Sequence, residues 1–411
     1  MVRVLIFLLG LIGMLLTGCA IQSQAAMLAP PPPTATFDPS LPTQFSPPRL
    51  SIPTANPAEL NRLSTTRLYV TAFQSYNVSV VDPSSGHSLR EIPTTGDQAG
   101  MAVSPDGTRL YVVDGQGADD QLRVFDTTTW HVIHHEALHD RAQLLGGNPI
   151  ALSGDGHWLV IAQYNYAREQ SSLSVFDTRK LEFVGSAAAE LQKCQENVLP
   201  VRLIGREGQD RLYGECRGYI TAWRADTLMQ VWKAEKIFNA SASIALTPDG
   251  KLLYALYPDV AVSYATGAGS VTKSDLYLFA WDSATGNLVQ QINLNDQVAV
   301  PTATFGRGGA GYLDIAPDGA HLYVAWEGRL WELSSNDLRV VRELKLPAPA
   351  DGLAPSVDGR ELYLLPSTAG DLVAREHGLW TVDIASFKLT RRASDWSSLS
   401  LPFMFAAPAP K

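Results

Sequence analysis

Eight side chains are best equipped to recognise a ligand: Tyr164, Tyr166, Arg168, Tyr264, Arg307, Tyr312, Trp326 and Glu327. Aromatic rings and guanidinium groups combine large contact area with directional hydrogen bonds, which is why they dominate binding hot spots. Taken singly, such residues more commonly pack or sit solvated. Their interest depends on a fold that gathers them. His131, His134, His135, His139 and Asp140 form a second concentration. On an extended strand His131 and His135 share one side, and a metal would need a bend to bring His139 and Asp140 round. A solvated outer strand is the simpler reading. There is no Gly-x-Ser-x-Gly elbow, no His-Glu-x-x-His and no phosphate loop. Gly306-Arg-Gly-Gly-Ala-Gly311 precedes a strand instead of opening a helix, so it reads as a loop whose Arg307 could meet an anion. No cofactor is expected. Carboxylates facing a central axis could hold Ca²⁺, but the spacing does not show which ones converge.

What could gather these residues is a repeat. Gly100-Met-Ala-Val-Ser-Pro-Asp-Gly-Thr-Arg-Leu-Tyr-Val-Val-Asp114 reads as a short strand, a turn and a second strand. The Leu-Tyr signature or its equivalent recurs at Leu68-Tyr69, Leu110-Tyr111, Leu159-Val160, Leu212-Tyr213, Leu253-Tyr254, Leu322-Tyr323 and Leu362-Tyr363, spaced 40 to 69 residues apart. Turns of the type Ser104-Pro-Asp-Gly107 precede most copies. Third strands end in Val-Val-Asp82, Val-Phe-Asp126, Val-Phe-Asp177, Ala-Trp-Asp282 and Thr-Val-Asp383. A period near 40 is that of a four-stranded propeller blade.

Over roughly residues 65 to 407 this pattern resembles the YVTN-type β-propeller repeat family, which grades into the lactonase-like propellers. The resemblance implies an all-β, seven-bladed β-propeller of four-stranded antiparallel blades. The first Leu-Tyr strand lacks an inner strand just before it, and Pro402-Phe-Met-Phe-Ala-Ala-Pro408 resembles Gly100-Met-Ala-Val-Ser-Pro105. The C-terminal strand is therefore expected to complete blade 1 and close the ring.

With strands named A to D from hub to rim, A–B and C–D turns share one face and B–C and D–A loops the other. The first class is short throughout. The length variation falls in B–C segments (Asp114 to Gln121, Gln163 to Ser171, Tyr257 to Asp275) and D–A segments (His139 to Asn148, Ala187 to Leu199, Asn295 to Gly311). Rigid scaffolds carry binding residues on their longer loops. The eight candidates fall on that face, as a rim around the central channel. Cys194 and Cys216 end on the same face, one hairpin apart, and an oxidising compartment would join them in a disulfide worth about 3 kcal/mol.

That compartment is suggested by the N-terminus. Arg3 precedes an apolar run from Val4 to Leu16, the length of a signal-peptide core and short for a spanning helix. Leu16-Thr17-Gly18-Cys19 resembles the bacterial lipobox, which implies cleavage after residue 18 and lipidation of Cys19 with diacylglycerol and palmitate. Two or three acyl chains anchor stably where one does not. Residues 19–62 carry Pro30 to Pro33 and prolines at 39, 42, 47, 48, 53 and 57. They read as an extended tether, on the order of 100 Å at roughly 3 Å per residue. The expected division is thus 1–18 signal peptide, 19–62 tether and 63–408 propeller.

The 411 residues are 45% apolar and 18% charged, with a net charge of −9. That balance suits a folded protein and disfavours nucleic acid, which wants basic patches. The expected function is that of a membrane-anchored lipoprotein of the bacterial cell envelope, facing the extracytoplasmic side. Its propeller would be a non-catalytic module binding a protein or polysaccharide on the long-loop face. The resemblance also implies an alternative, a lactonase-like hydrolase acting on a small ester or lactone at the channel mouth. Its catalytic residues cannot be placed position by position in this chain. Quinoprotein-dehydrogenase subunits have related propellers, but no cofactor motif here supports a redox role.

Overall fold

Each short apolar run of the repeat is a β-strand, and each Pro-Asp-Gly segment is the turn that reverses it. The computed structural model describes residues 66–72, 76–95, 98–115, 120–138, 141–142, 150–165, 170–187, 202–203, 211–216, 219–234, 243–263, 270–303, 311–366, 378–393 and 402–409. Their strands form seven antiparallel sheets arranged as a β-propeller. Blade 1 runs Pro402–Pro408, Thr66–Ala72, Asn77–Asp82 and His87–Pro93 from hub to rim. Blades 2, 3 and 4 occupy 98–137, 141–187 and 202–233. Blade 5 is built from Ser243–Leu246, Leu252–Ser263, Ser270–Asp282 and Leu288–Asn293; blade 6 from Tyr312–Ile315, His321–Trp326, Arg329–Ser334 and Val340–Lys345. Ala350–Pro355, Glu361–Pro366, Leu379–Asp383 and Lys388–Ala393 make blade 7. In blade 3 the innermost strand comes in two pieces, Arg141–Ala142 and Ile150–Leu152, both paired with Trp158–Asn165.

The C-terminal strand closes the ring as expected. Pro402–Pro408 pairs antiparallel with Thr66–Ala72 along its full length, from Thr66 opposite Pro408 to Ala72 opposite Pro402. It also contacts the inner strand of blade 7.

The hydrophobic core is divided into seven layers, one between each pair of neighbouring blades. The repeated tyrosine marks them. Tyr69 packs with Leu110 and Val112, Tyr111 with Leu159 and Ile161, and Tyr254 with Leu322 and Val324. Tyr323 packs with Leu362 and Leu364, and Tyr363 returns to Leu68 and Val70 of blade 1. Where its hydroxyl meets the next blade it finds a main-chain carbonyl: Tyr254 Oη donates to Ser335 O at 2.8 Å and Tyr213 Oη to Ser283 O at 3.3 Å. The same serines donate their own hydroxyls to a glycine carbonyl of their blade's A–B turn, Ser335 to Gly319 and Ser283 to Gly250. One Ser or Thr thus ties turn to turn within its blade and blade to blade.

Both kinds of short turn have a strict construction. In the A–B turns the glycine is left-handed, as at Gly107 (φ +74°) and Gly250 (φ +70°), a conformation that strains residues bearing a Cβ. In the C–D turns the fifth residue is left-handed in all seven blades: Gly86, Trp130, Leu181, Leu228, Gly286, Leu338 and Phe387. Five of these are large apolar residues. Their backbone strain is offset where the side chain is buried, as at Leu228, Leu338 and Phe387.

The aspartates of these turns set an acid limit on the fold. Asp249 is lowered to about 2, first by the Lys251 side chain and then by the Thr247 hydroxyl. Asp126 is lowered by the amide and hydroxyl of Thr129, Asp282 by the hydroxyl and amide of Thr285, and Asp383 by those of Ser386. A carboxylate depressed in the folded state contributes stability that is full above its unfolded pKa and is lost as pH falls through its folded one. The melting temperature is therefore expected to hold steady from neutral pH to about pH 5 and to fall below about pH 4. A curve flat to pH 2 would show that these turns do not hold the blades.

Candidate functional site

Among the described residues of the long-loop face the longest feature is a ribbon in blade 5. Strand B of that blade pairs with its inner strand only as far as Leu256, but continues with strand C through Pro258, Asp259, Val260, Ala261, Val262 and Ser263. Residues 257–275 were expected to be an inserted loop; apart from the tip, they are paired strand. Val260, Val262 and Val271 supply the β-branched pattern that favours it. Six residues at about 3.3 Å each carry the ribbon roughly 20 Å beyond the four-stranded sheet. Its base is fixed by the segment leaving blade 5. Asn295 accepts from Leu276 N at 3.1 Å and donates to Ser274 O at 2.9 Å, while Ala303 N donates to Ser274 Oγ at 2.8 Å. Lys273 pairs with Asp275, which lies directly opposite Asp259 across the ribbon.

The predicted rim residues are only partly gathered. Trp326 is 2% exposed and donates its indole N–H to Pro301 O at 2.9 Å, so its ring serves the core between blades 5 and 6. Glu327 and Gly328 form a two-residue B–C turn with φ of +40° and +75°, the shortest hairpin connection. Tyr312 opens the inner strand of blade 6, half-buried against the blade 6/7 layer. Burial, and then the charge of Asp351, push its hydroxyl pKa up. Tyr164 lies on strand B of blade 3, opposite Ser171 and Arg141. Tyr166, Arg168, Tyr264, Arg307 and Cys194 lie outside the described residues, and Cys216 ends strand B of blade 4 opposite Tyr219. Of the histidines, His135 contacts Gln121 at 2.5 Å and His134 contacts Glu136 at 3.2 Å. His139 and Asp140 lie outside the described residues.

A second feature is not apparent from sequence motifs. On the short-turn face, between blades 6 and 7, lies a cleft of about 600 Å³. Across blade 6 a polar row faces it: Tyr323 on strand B, Glu332 opposite on strand C, and Arg342 opposite that on strand D. Glu332 is 1% exposed and is paired through Oε2 with the Arg342 Nε. Arg342 also donates to Ala385 O at 3.1 Å, and its guanidinium lies 4.6 Å from the centre of the Phe387 ring. His321 Nε2 stands 4.0 Å from Glu332 Oε1. The signal was present in the repeat. Positions facing the inter-blade tyrosine, or its equivalent, are Val80, Val124, Val175, Ala222, Ala280 and Thr381 in the other six blades. Only in blade 6 is that position charged.

Comparison with protein-family models and with curated proteins finds no match. Among solved structures, a functionally unknown protein from Desulfotomaculum acetoxidans DSM 771 is 13% identical, with a TM-score of 0.58 covering 84% of this chain and 99% of that one. Dihydro-heme d1 dehydrogenase NirN in complex with DHE is 13% identical, with a TM-score of 0.50 covering 88% of this chain and 77% of that one. At such identity the likeness is one of fold, and the chain is a seven-bladed β-propeller.

Proposed function

We propose that this chain is a lipid-anchored, extracytoplasmic binding module. Residues 1–18 would be a signal peptide, Cys19 the lipidated residue, and residues 19–62 a tether. Its propeller would carry a protein or polysaccharide on the B–C/D–A face, with Cys194 and Cys216 joined beneath it. The observation that carries this reading is the blade 5 ribbon. It extends beyond its sheet, and its base is fixed by Asn295 and Ser274. A paired ribbon of this kind presents an ordered surface at little entropic cost on binding, and its exposed edges offer main-chain donors and acceptors. Of its side chains Val260 and Val271 pack on the edge of the blade 5/6 layer, while Asp259 and Ala261 on either side of Val260 are exposed.

The test replaces residues 260–273 with Asn-Gly in the full-length protein and compares capture from envelope extracts of the source cell. The expected outcome is a defined protein or polysaccharide retained by the wild type and lost by the shortened variant, which still unfolds in one cooperative transition. Equal retention by both would remove the ribbon from the proposal. Turnover of esters or lactones by the wild type would put the lactonase-like hydrolase in its place.

A further inference from the structure

At the other layers where the tyrosine hydroxyl reaches the next blade, it is satisfied by a carbonyl beside a Ser or Thr. In blade 7 the corresponding residue is Ile384, and the nearby Ala385 carbonyl is taken by Arg342. Tyr323 is 1% exposed and lines the cleft, yet its hydroxyl has no hydrogen-bond partner among the described residues. Glu332 Oε1 likewise accepts no hydrogen bond among the described residues: Arg342 engages Oε2, and His321 Nε2 stands 4.0 Å from Oε1. Neither atom is sealed off by protein, so the Tyr323 hydroxyl and Glu332 Oε1 present hydrogen-bonding capacity to the cleft from otherwise buried side chains on one wall.

The mouth adds charge and apolar surface. Ser or Thr opens the A–B turn at Ser104, Ser153, Thr247 and Ser356, and donates to the aspartate two residues on. Blade 6 has Ala316 there, so the Asp318 carboxylate accepts only Ala320 N, at 2.8 Å, among the described residues. Asp358 faces it from blade 7. Glu332 is matched by Arg342, and Asp358 by Arg360 at 3.8 Å, so Asp318 leaves the cleft a negative balance, which repels anions and draws cations. Val341 and Val357, among the few large apolar side chains left exposed, stand on the same walls at 47% and 41%. Burial, followed by the charges of Glu332 and Asp318, pushes the Tyr323 hydroxyl pKa up, so that both carboxylates act on the same pocket.

We propose that the cleft between blades 6 and 7 binds a small aliphatic diamine or polyamine. One ammonium group donates to Glu332 Oε1 and the Tyr323 hydroxyl, the alkyl stem covers Val341 and Val357, and a second ammonium sits between Asp318 and Asp358. This site is separate from the ribbon face and stands or falls without it.

The experiment is calorimetric titration of the full-length protein in detergent with 1,4-diaminobutane and with spermidine. Saturable binding is expected, weakening severalfold as salt rises from about 50 to about 300 mM, as charge pairing requires. Tyr323→Phe removes a hydroxyl that holds no hydrogen-bond partner among the described residues and should weaken binding about tenfold without lowering the melting temperature. Asp318→Asn, on an exposed turn, should weaken it severalfold and flatten the salt dependence. Asp226→Asn, in the C–D turn of blade 4, should leave binding unchanged. No saturable heat with either amine would overturn the proposal. So would binding unaffected by Tyr323→Phe and Asp318→Asn, or salt-independent binding of a neutral saccharide that Tyr323→Phe weakens.

Discussion

Deleting residues 400–411 is expected to abolish the cooperative unfolding transition of the propeller. The lost strand pairs with every residue of Thr66–Ala72. It also supplies Met404 to the layer between blades 7 and 1, and Ala407 to the layer between blades 1 and 2. Both layers are opened at once. The second strand of blade 1, with Leu68 and Tyr69 fully buried, becomes an unpaired edge with its apolar side chains exposed. Native domains are stable by only about 5–15 kcal/mol, and the loss of two of seven core layers lies on that scale. The measurement is thermal or urea unfolding followed by near-ultraviolet circular dichroism. A truncated chain that melts like the full one would mean that the ring does not depend on its closing strand.

The next largest effect is expected at Gly107, judged against Gly250. Both are left-handed at nearly the same φ, +74° and +70°. A Cβ at Gly250 would meet nothing within 4 Å, while one at Gly107 would lie 2.4 Å from the Pro408 carbonyl oxygen. Gly250→Ala should therefore cost about 1–2 kcal/mol, the left-handed strain alone. Gly107→Ala adds an overpacking cost of about 1–3 kcal/mol, because the main chain of the closing strand cannot swing aside as a side chain would. Urea midpoints at an unchanged slope give the comparison. Equal losses at the two sites would show that the closing strand yields freely where it meets blade 2.

A related contact recurs at three other turn glycines. Gly156 sits against Pro105, Gly319 against Pro248 and Gly359 against Pro317. Each of these turn glycines rests on the turn proline of an earlier blade. At Gly107 the neighbour is also a proline, Pro408, but it is met through its main-chain carbonyl and not its ring, and it ends a strand instead of forming a turn. The likeness between residues 402–408 and 100–105 thus keeps a proline beside the next blade's turn glycine, through different atoms.

The parts of the fold that are easy to read are those fixed by local chemistry. Leu-Tyr strands and Pro-Asp-Gly turns follow from alternation and from a left-handed glycine. The C–D turns read only as polar, because their left-handed position is held by Trp130, Leu181, Leu228, Leu338 and Phe387, residues that do not advertise that conformation. Tertiary burial decides them, and a local motif cannot show it. The ribbon reads as a loop because Tyr264 to Gly269 interrupts two valine-containing runs that pair across it. Trp326 stands out for its chemistry and its position at a strand end, yet the segment through Pro301 folds over it. Glu332 stays hidden when the repeats are aligned on their signature residues. A column-by-column comparison of third strands exposes one carboxylate among aliphatic side chains and a threonine.

Because the pairing of Thr66–Ala72 waits for Pro402–Pro408, the order of events in folding is constrained. Until the last strand docks, the chain is an open arc with complementary ends: an unfilled edge on blade 1 and a free strand beyond blade 7. Contacts so distant in sequence form slowly. In a dilute solution the two ends of one molecule find each other. In a crowded one the free strand of one molecule fits the open edge of the next, and exchange of this single element would link copies through the same hydrogen bonds that close the monomer.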